Sequence, residues 1–200
     1  MRRGQAQIVG FTLVTLIMLS ITAVVFIWAN PLIQNSKDVN DLDRIENKMI
    51  QLDNAIREVA TQKSQRTIDF EIKSGDLLLE SSSKLVYYTN IDLPISSGEQ
   101  IVVRGNNKTA DGPCLNTSIN GSIGIDSSSC LLLQGSAIYE LYYPVLSDST
   151  GCFAIRLKAG NNVGASKGKH KIRLTYDHLS TTNTNGCTTS TKPTVEIDIE

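Results

Sequence analysis

The pattern of hydrophobic and polar positions changes twice along the 200-residue chain. From Ile8 to Trp28 the sequence IVGFTLVTLIMLSITAVVFIW carries no charged residue. From Leu42 to Val59 apolar residues recur at steps of three and four, and from Arg66 onward apolar and polar residues alternate. These patterns predict a membrane-length helix, then an amphipathic helix, then a series of β-strands.

The apolar run is long enough to span a bilayer. Its twenty-one residues would extend about 32 Å as a helix, against a hydrocarbon core of about 30 Å. Arg2 and Arg3 precede the run and Trp28 closes it, so the N-terminus is expected in the cytoplasm and the chain beyond about residue 35 outside. A cleaved secretory signal has a shorter apolar region and a small-residue cleavage site, so a retained segment is favoured. The hydroxyls within the run are expected to bond to helix carbonyls one turn back.

The amphipathic stretch carries an apolar stripe with the spacing of a coiled-coil seam. Two interpretations remain open: the stripe packs against the β region of its own chain, or it contacts neighbouring copies. Asp53 and Arg57 are spaced for an i, i+4 ion pair, and Pro31, before the stripe, predicts a kink. The stripe consists of Leu42, Ile45, Met49, Leu52, Ile56 and Val59.

In the C-terminal region apolar and polar residues alternate, as they do in β-strands. The first apolar positions are Ile68, Phe70 and Ile72. About nine short strands separated by Gly, Asn and Ser clusters predict an antiparallel, immunoglobulin-like β-sandwich. The predicted fold class is therefore α+β, a long N-terminal helix followed by a sandwich. The further candidate strands are Leu77–Glu80, Leu85–Thr89, Glu99–Arg104, Leu131–Gln134, Ala137–Tyr143, Cys152–Lys158, Lys169–Asp177 and Thr194–Ile199.

Charge and motif content argue against nucleic-acid binding and catalysis. Nineteen basic and twenty acidic residues give a net charge of −1, which provides no strong field toward a polyanion. The two histidines, His170 and His178, cannot supply a tetrahedral zinc site alone. One G-x-S-x-G match occurs, Gly164 to Gly168 (GASKG), but a predicted strand follows it rather than the helix that a nucleophile elbow requires, and no phosphate-binding loop occurs. We therefore expect no enzyme activity, no cofactor and no metal.

A basic patch of Lys167, Lys169, His170 and Lys171 has two interpretations. It is either a solvated hairpin tip or a surface that adheres to anionic material.

Four cysteines and three glycosylation sequons lie in the region predicted to be outside. Thiols in an oxidising compartment form disulfides, and four cysteines allow three pairings. Cys114–Cys130 and Cys152–Cys187 are favoured, because each closes a local loop. The sequons begin at Asn107, Asn116 and Asn120 and predict glycosylation.

The junction before the apolar run resembles the class III signal of type IV prepilins, archaeal ones most closely. The residues are Arg2-Arg3-Gly4-Gln5-Ala6-Gln7, and the resemblance implies cleavage between Gly4 and Gln5. Bacterial pilins carry Glu at the fifth mature position, where this chain has Val9, and the Gly-Ile-Gly opening of archaellins is also missing. The stretch IDFEIKSGDLLLE followed by KLVYYT is similar to the first sheet of archaeal pilin heads.

The resemblance implies a division into a leader (1–4), a long helix (5–63) and an extracellular head (64–200). Within the helix, residues 5–35 would form the membrane segment or filament core and residues 36–63 the amphipathic part. The protein would then be a structural subunit that polymerises through its apolar helix into an adhesive extracellular pilus. Filament-core positions are expected at Ile8, Phe11, Leu13, Leu16, Leu19, Val24 and Phe26.

The implied partners are other copies of the chain, a prepilin peptidase, an assembly ATPase and a membrane platform protein. The precursor would reside in the cell membrane and the product in a surface filament. The loop between Cys114 and Cys130, which contains Asn116 and Asn120, would face away from the filament axis. The alternative is a monomeric, single-pass membrane-anchored β-ectodomain that acts as a surface adhesin or binding subunit.

Overall fold

The computed structural model describes residues 3–89, 91, 100–104, 108–109, 112–113, 119–120, 129–134, 138–148, 151–180 and 190–200. The chain forms two compact units, Met1–Arg44 and Ile45–Glu200. The division falls inside a helix, so the second unit combines the last turns of that helix with the strands.

A single helix, α1, runs from Arg3 to Gln62. The two predicted helical patterns therefore belong to one continuous element. Pro31 lies inside it; a proline lacks the N–H that would bond to the preceding turn, yet the residues on both sides remain helical. The expectation of a helix followed by a β region is confirmed.

The strands follow α1 in two larger sheets and one small one. The seven-stranded sheet has the order β1-β14-β15-β11-β10-β7, with β12 also paired to β15; the six-stranded sheet has the order β13-β2-β3-β9-β8-β4. Strands β5 and β6 pair with each other. The bounds are β1 Gln65–Ile72, β2 Asp76–Ser81, β3 Lys84–Tyr88, β4 Gln100–Arg104, β5 Lys108–Thr109, β6 Gly112–Pro113, β7 Ile119–Asn120, β8 Cys130–Gln134, β9 Ile138–Tyr142, β10 Leu146–Asp148, β11 Gly151–Phe153, β12 Arg156–Ala159, β13 Gly164–Ala165, β14 Gly168–Ser180 and β15 Ser190–Ile199.

Most described pairings are antiparallel, as expected, but three are parallel. β7 pairs in parallel with β10, and both β11 and β12 pair in parallel with β15. A parallel pair requires a crossover connection, which strand spacing along the sequence does not reveal.

Burial follows the predicted alternation in β1 and departs from it between β11 and β12. Ile68, Phe70 and Ile72 are buried while their neighbours are exposed or half-buried. The predicted single strand Cys152–Lys158 is instead two strands. Ala154 and Ile155 between them are both buried, and two successive inward side chains are incompatible with one regular strand.

The apolar stripe of α1 is buried within the chain. Its six residues are at most 9% exposed, and the four from Met49 to Val59 are fully buried. This burial favours the first interpretation of the stripe, packing within its own chain, because a fully buried side chain offers no area to a neighbouring copy. Five of the six, from Ile45 onward, belong to the second unit.

The turn between β1 and β2 requires a glycine. Gly75 has φ +95°, and a Cβ atom there would lie 2.0 Å from the carbonyl oxygen of Tyr88. Both the backbone conformation and the lack of space exclude a side chain. The hydroxyl of Tyr87 donates a hydrogen bond of 2.6 Å to the carbonyl oxygen of Ser74 in the same turn.

Candidate functional site

The N-terminal half of α1 exposes large apolar side chains around its whole circumference. Residues 16–19 and 24–28 are continuous apolar runs, and about 3.6 residues complete a helical turn. No face of this segment is therefore polar throughout. From residue 10 onward, where the side chains of this half are described, fifteen large apolar side chains are between 49 and 76% exposed: Phe11, Leu13, Val14, Leu16, Ile17, Met18, Leu19, Ile21, Val24, Val25, Phe26, Ile27, Trp28, Leu32 and Ile33.

Three hydroxyl groups of the apolar run bond to carbonyl oxygens of the helix itself, as predicted. Thr15 Oγ1 donates to the carbonyl oxygen of Phe11 at 2.5 Å. Ser20 Oγ and Thr22 Oγ1 donate to the carbonyl oxygens four residues earlier, each at 2.8 Å. A helix whose polar groups bond internally can enter apolar surroundings without leaving hydrogen-bonding groups unsatisfied.

The same segment is long and apolar enough to cross a membrane, by length and composition. Burial of one large apolar side chain is worth about 1.5–3 kcal/mol, so exposing fifteen of them to water would cost tens of kcal/mol. Surrounding lipid, or other copies of the chain, would remove that cost. The described residues of this chain do not cover these side chains.

The predicted cleavage and core residues lie along this helix. Gly4 and Gln5 are within α1. Ile8 also lies within α1, and its side chain is outside the described residues. The other predicted core residues, Phe11, Leu13, Leu16, Leu19, Val24 and Phe26, are all exposed.

A buried polar cluster joins the C-terminal half of α1 to the strands. Arg57 Nη2 lies 3.2 Å from Asp53 Oδ2, with the two side chains 8% and 1% exposed. The predicted i, i+4 ion pair is thus present and buried. Tyr143, which follows β9, donates its hydroxyl proton to Asp53 Oδ1 at 3.1 Å, and Arg57 Nη2 donates to Asn54 Oδ1 at 2.7 Å. Sequence reasoning missed Tyr143, because no local pattern links it to a residue ninety positions earlier.

Two of the four cysteines are within the described residues. Cys130 opens β8 and Cys152 lies in β11; both are buried and neither is a free thiol. Cys114 and Cys187 are outside the described residues, so the two pairings remain predictions. Of the sequon asparagines, Asn107 and Asn116 are likewise outside, whereas Asn120 lies in β7 opposite Ser147 of β10.

Charged side chains form ladders on the strand surfaces. Lys158 Nζ contacts Asp177 Oδ2 at 3.1 Å and Glu196 Oε2 at 2.9 Å. The hydrogen bonds that Lys158 donates to Glu196 and Asp177 raise its pKa, and Lys158 and His178 hold the pKa of Asp177 below its usual range. Burial alone would lower the pKa of Lys84. Its hydrogen bonds to Glu140 and Glu80 together have a larger effect and raise the pKa.

Asp198 on β15 is a buried carboxylate that accepts hydrogen bonds on both of its oxygens. The backbone N–H of Asn162 donates to Asp198 Oδ1 at 3.1 Å, and Arg173 Nη2 donates to Asp198 Oδ2 at 2.7 Å. These two bonds lower the pKa of Asp198, the first of them most strongly.

Both histidines lie on β14. His170 Nε2 is 2.8 Å from the carbonyl oxygen of Ser166, and His178 Nδ1 is 2.9 Å from Asp177 Oδ2. Within the described ranges, no three histidine, cysteine, aspartate or glutamate side chains come together as a metal site.

A comparison of the chain with known proteins found no matching family model, no matching curated protein and no matching solved structure.

Proposed function

We propose that the protein is a structural subunit of an extracellular filament of the type IV pilus class, similar to archaeal pilins. The observation that carries the proposal is the exposure of the apolar half of α1 on all sides, in a helix that continues without interruption into the stripe of the second unit. Such a segment needs apolar surroundings. In the membrane these are lipid, and in a filament they are the same helices of other copies.

Assembly from this starting point requires an external machine. Transfer of an apolar helix from lipid to a bundle of helices gains no large hydrophobic term, since lipid tails are as apolar as leucine. Return to water costs tens of kcal/mol, so assembled copies stay together. A prepilin peptidase, an assembly ATPase and a membrane platform protein are the partners that the resemblance implies. A head-to-tail contact that does not close gives a helical filament.

The experiment that tests the proposal is N-terminal sequencing of material sheared from expressing cells, with negative-stain microscopy of the same sample. Filaments whose subunits begin at Gln5 support it. A chain that keeps its leader, remains in the membrane fraction and yields no filaments overturns it.

The second candidate is a monomeric, membrane-anchored β-ectodomain. The stripe from Met49 to Val59 is buried, so it leaves no exposed apolar face for contacts between copies. This observation fits a monomer better than a filament in which the stripes of neighbouring subunits touch. Under this alternative the apolar half of α1 is a permanent anchor, and the sequencing experiment distinguishes the two functions directly.

For the strand region we propose a β-sandwich with an immunoglobulin-like arrangement. Its support is a main-chain hydrogen bond that links the two larger sheets. The N–H of Leu157 in β12 donates to the carbonyl oxygen of Ser82, in the turn between β2 and β3, at 2.7 Å. An experimental density map tests whether the two larger sheets face each other at about 10 Å.

We propose the disulfides Cys114–Cys130 and Cys152–Cys187. The second is supported by the strand register, since Cys152 lies opposite Ser190 and Cys187 comes only three residues before Ser190. Non-reducing peptide mapping tests both links, and a Cys114–Cys187 link would overturn them. Mass spectrometry of peptides that contain Asn107, Asn116 and Asn120 tests glycosylation in the same digest.

A further inference from the structure

A surface groove of about 480 Å³ lies in the second unit, and three lysines from two separate elements line it. Lys48 comes from α1, and Lys169 and Lys171 come from β14. The volume falls in the range of about 300–1,000 Å³ that is typical of sites for small ligands. Lys48 is 121 positions from the nearer of its partners in sequence, so only the fold brings these three charges together.

Lys48 is held in place by the edge strand β1. Its Nζ donates to the carbonyl oxygen of Asp69 and to Gln51 Oε1, both at 3.3 Å. The main-chain N–H and C=O of Lys171, the register partner of Asp69, both bond to Glu200, so Asp69 and Lys171 form a non-hydrogen-bonded pair and the carbonyl of Asp69 is on the side away from β14. The ammonium group has a third proton to donate, and a ligand in the groove can accept it.

His170 lines the same groove and is positioned by a glycine. Its Nε2 lies 2.8 Å from the carbonyl oxygen of Ser166, and a Cβ on Gly168 would approach that nitrogen to 3.1 Å. A carbonyl oxygen only accepts, so Nε2 carries the proton in the neutral ring and Nδ1 is an acceptor.

Two carboxylates alternate with the lysines along the groove. Asp69 lies opposite Lys171, and Glu71 lies opposite Lys169, in the register of β1 and β14. Three lysines and two carboxylates leave a net charge of +1. The groove thus offers cations for an anionic group and acceptors for hydroxyl protons.

We propose that this groove binds an acidic carbohydrate, an oligosaccharide of uronic acids. The carboxylates of the sugar face Lys48, Lys169 and Lys171, and its hydroxyls donate to Asp69 and Glu71. A polyphosphate or nucleic acid, with dense charge and few hydroxyls, would meet those two carboxylates unfavourably. A neutral sugar could satisfy the two carboxylates but would leave the excess positive charge of the groove uncompensated. The site requires only the second unit, so it holds for a filament subunit and for an anchored monomer alike.

The test is a titration of the detergent-solubilised full chain by calorimetry with tetragalacturonate, maltotetraose and tripolyphosphate. We expect saturable binding of tetragalacturonate that weakens as salt is added, and at least tenfold weaker binding of the other two. The variant Lys169→Gln/Lys171→Gln should lose at least tenfold in affinity, and Lys169→Arg/Lys171→Arg should retain binding. Lys63→Gln is the matched control, because Lys63 is an exposed lysine in the turn that follows α1, and the last residue of α1, Gln62, is about 21 Å along the helix axis from Lys48.

Three outcomes would overturn the proposal. Equal affinity of the double glutamine variant and the unaltered chain would show that the groove lysines do not contact the ligand. Binding of maltotetraose as tight as tetragalacturonate would remove the charge requirement, and tighter binding of tripolyphosphate would assign a phosphate site instead. Lys48→Gln, made on α1 rather than β14, supplies an independent variant with the same expected loss, should the double variant fail to fold.

Discussion

The hydroxyl of Tyr143 donates a hydrogen bond of 3.1 Å to Oδ1 of Asp53, and so connects the residue after β9 to the buried half of α1. Asp53 also pairs with Arg57 one turn later. All three side chains are buried, so the position of α1 in the second unit depends on directional contacts as well as on the apolar stripe. A displaced helix would leave a buried charge without its partner, which is costly.

The first prediction is that Tyr143→Phe destabilises the second unit by about 1–3 kcal/mol, because Asp53 loses a donor in a buried site. Urea unfolding of the full chain in detergent, followed by circular dichroism, measures the change. Tyr88→Phe is the matched control, since Tyr88 is 37% exposed and an exposed substitution should stay within about 0.5 kcal/mol. Equal stability of the two variants would contradict the role given to Tyr143.

The second prediction concerns the ion pair itself. Arg57→Met alone should cost about 3–5 kcal/mol, because it leaves a buried carboxylate uncompensated. The double change Asp53→Leu/Arg57→Met should cost far less, since no charge is then buried. The same unfolding experiment measures both. A double variant that is as unstable as Arg57→Met would show that the pair is needed for reasons other than charge compensation.

The third prediction concerns the exposed half of α1. Leu16→Asp should abolish filament assembly, because the carboxylate would enter an apolar helix bundle unpaired. Leu16→Ile keeps the apolar character and similar volume and should assemble normally. Counting filaments by microscopy in cells with matched protein levels measures the effect. Normal filaments from Leu16→Asp would mean that this face of the helix contacts no other copy.

The fourth prediction concerns processing. Gly4→Leu should leave the leader attached, because the resemblance to prepilins implies a small residue before the cut. Gly10→Leu is a suitable control, since a Cβ on Gly10 meets no atom within 4 Å and the position is six residues from the cut. The mass of the N-terminal peptide distinguishes processed from unprocessed chains. Efficient cleavage of the Gly4→Leu chain would rule out the class III interpretation.

The fifth prediction is a pH dependence of stability from Asp198. Its pKa in the folded chain lies below the usual 3.8, so the ionised carboxylate contributes stability at neutral pH. That contribution is fully present above about pH 3.8 and is lost as the pH falls through the lowered folded pKa. Asp198→Asn should therefore lower the melting temperature at pH 7, and this effect should shrink progressively as the pH is lowered below 3.8. The exposed Asp76→Asn is the control, and an Asp198→Asn effect that does not vary with pH would contradict the electrostatic account.

Local sequence patterns predicted the helix and the strands of this fold better than they predicted which elements contact one another. The alternation of Ile68, Phe70 and Ile72 and the spacing from Leu42 to Val59 were enough to predict β1 and the apolar face of α1, because each pattern depends only on the geometry of its own element. The sequence left open whether that face packs within the chain or against other copies. The break at Ala154 and Ile155 was missed, since both residues are apolar and their burial is set by distant strands.

The groove lay beyond sequence reasoning for the same reason. The basic residues of β14 were identified, but their neighbour Lys48 is on the helix, and no periodicity connects a helix to a strand more than a hundred residues later. The contact between Tyr143 and Asp53 was missed for the same reason, because it too joins a strand region to a distant part of the helix. Contacts between distant segments are fixed by topology, and the parallel pairings of β15 were not predictable from strand spacing.

The turn at Gly75 has an evolutionary consequence. A Cβ at this position would lie 2.0 Å from the carbonyl oxygen of Tyr88, and the backbone already has φ +95°, so every mutation away from glycine should be selected against, whatever the chain does. The apolar half of α1 has no single position fixed in this way: its side chains have to stay apolar and, in a helix bundle, close to their present volumes. Related chains should therefore vary within the apolar set along that segment and keep this one glycine in the β1–β2 turn.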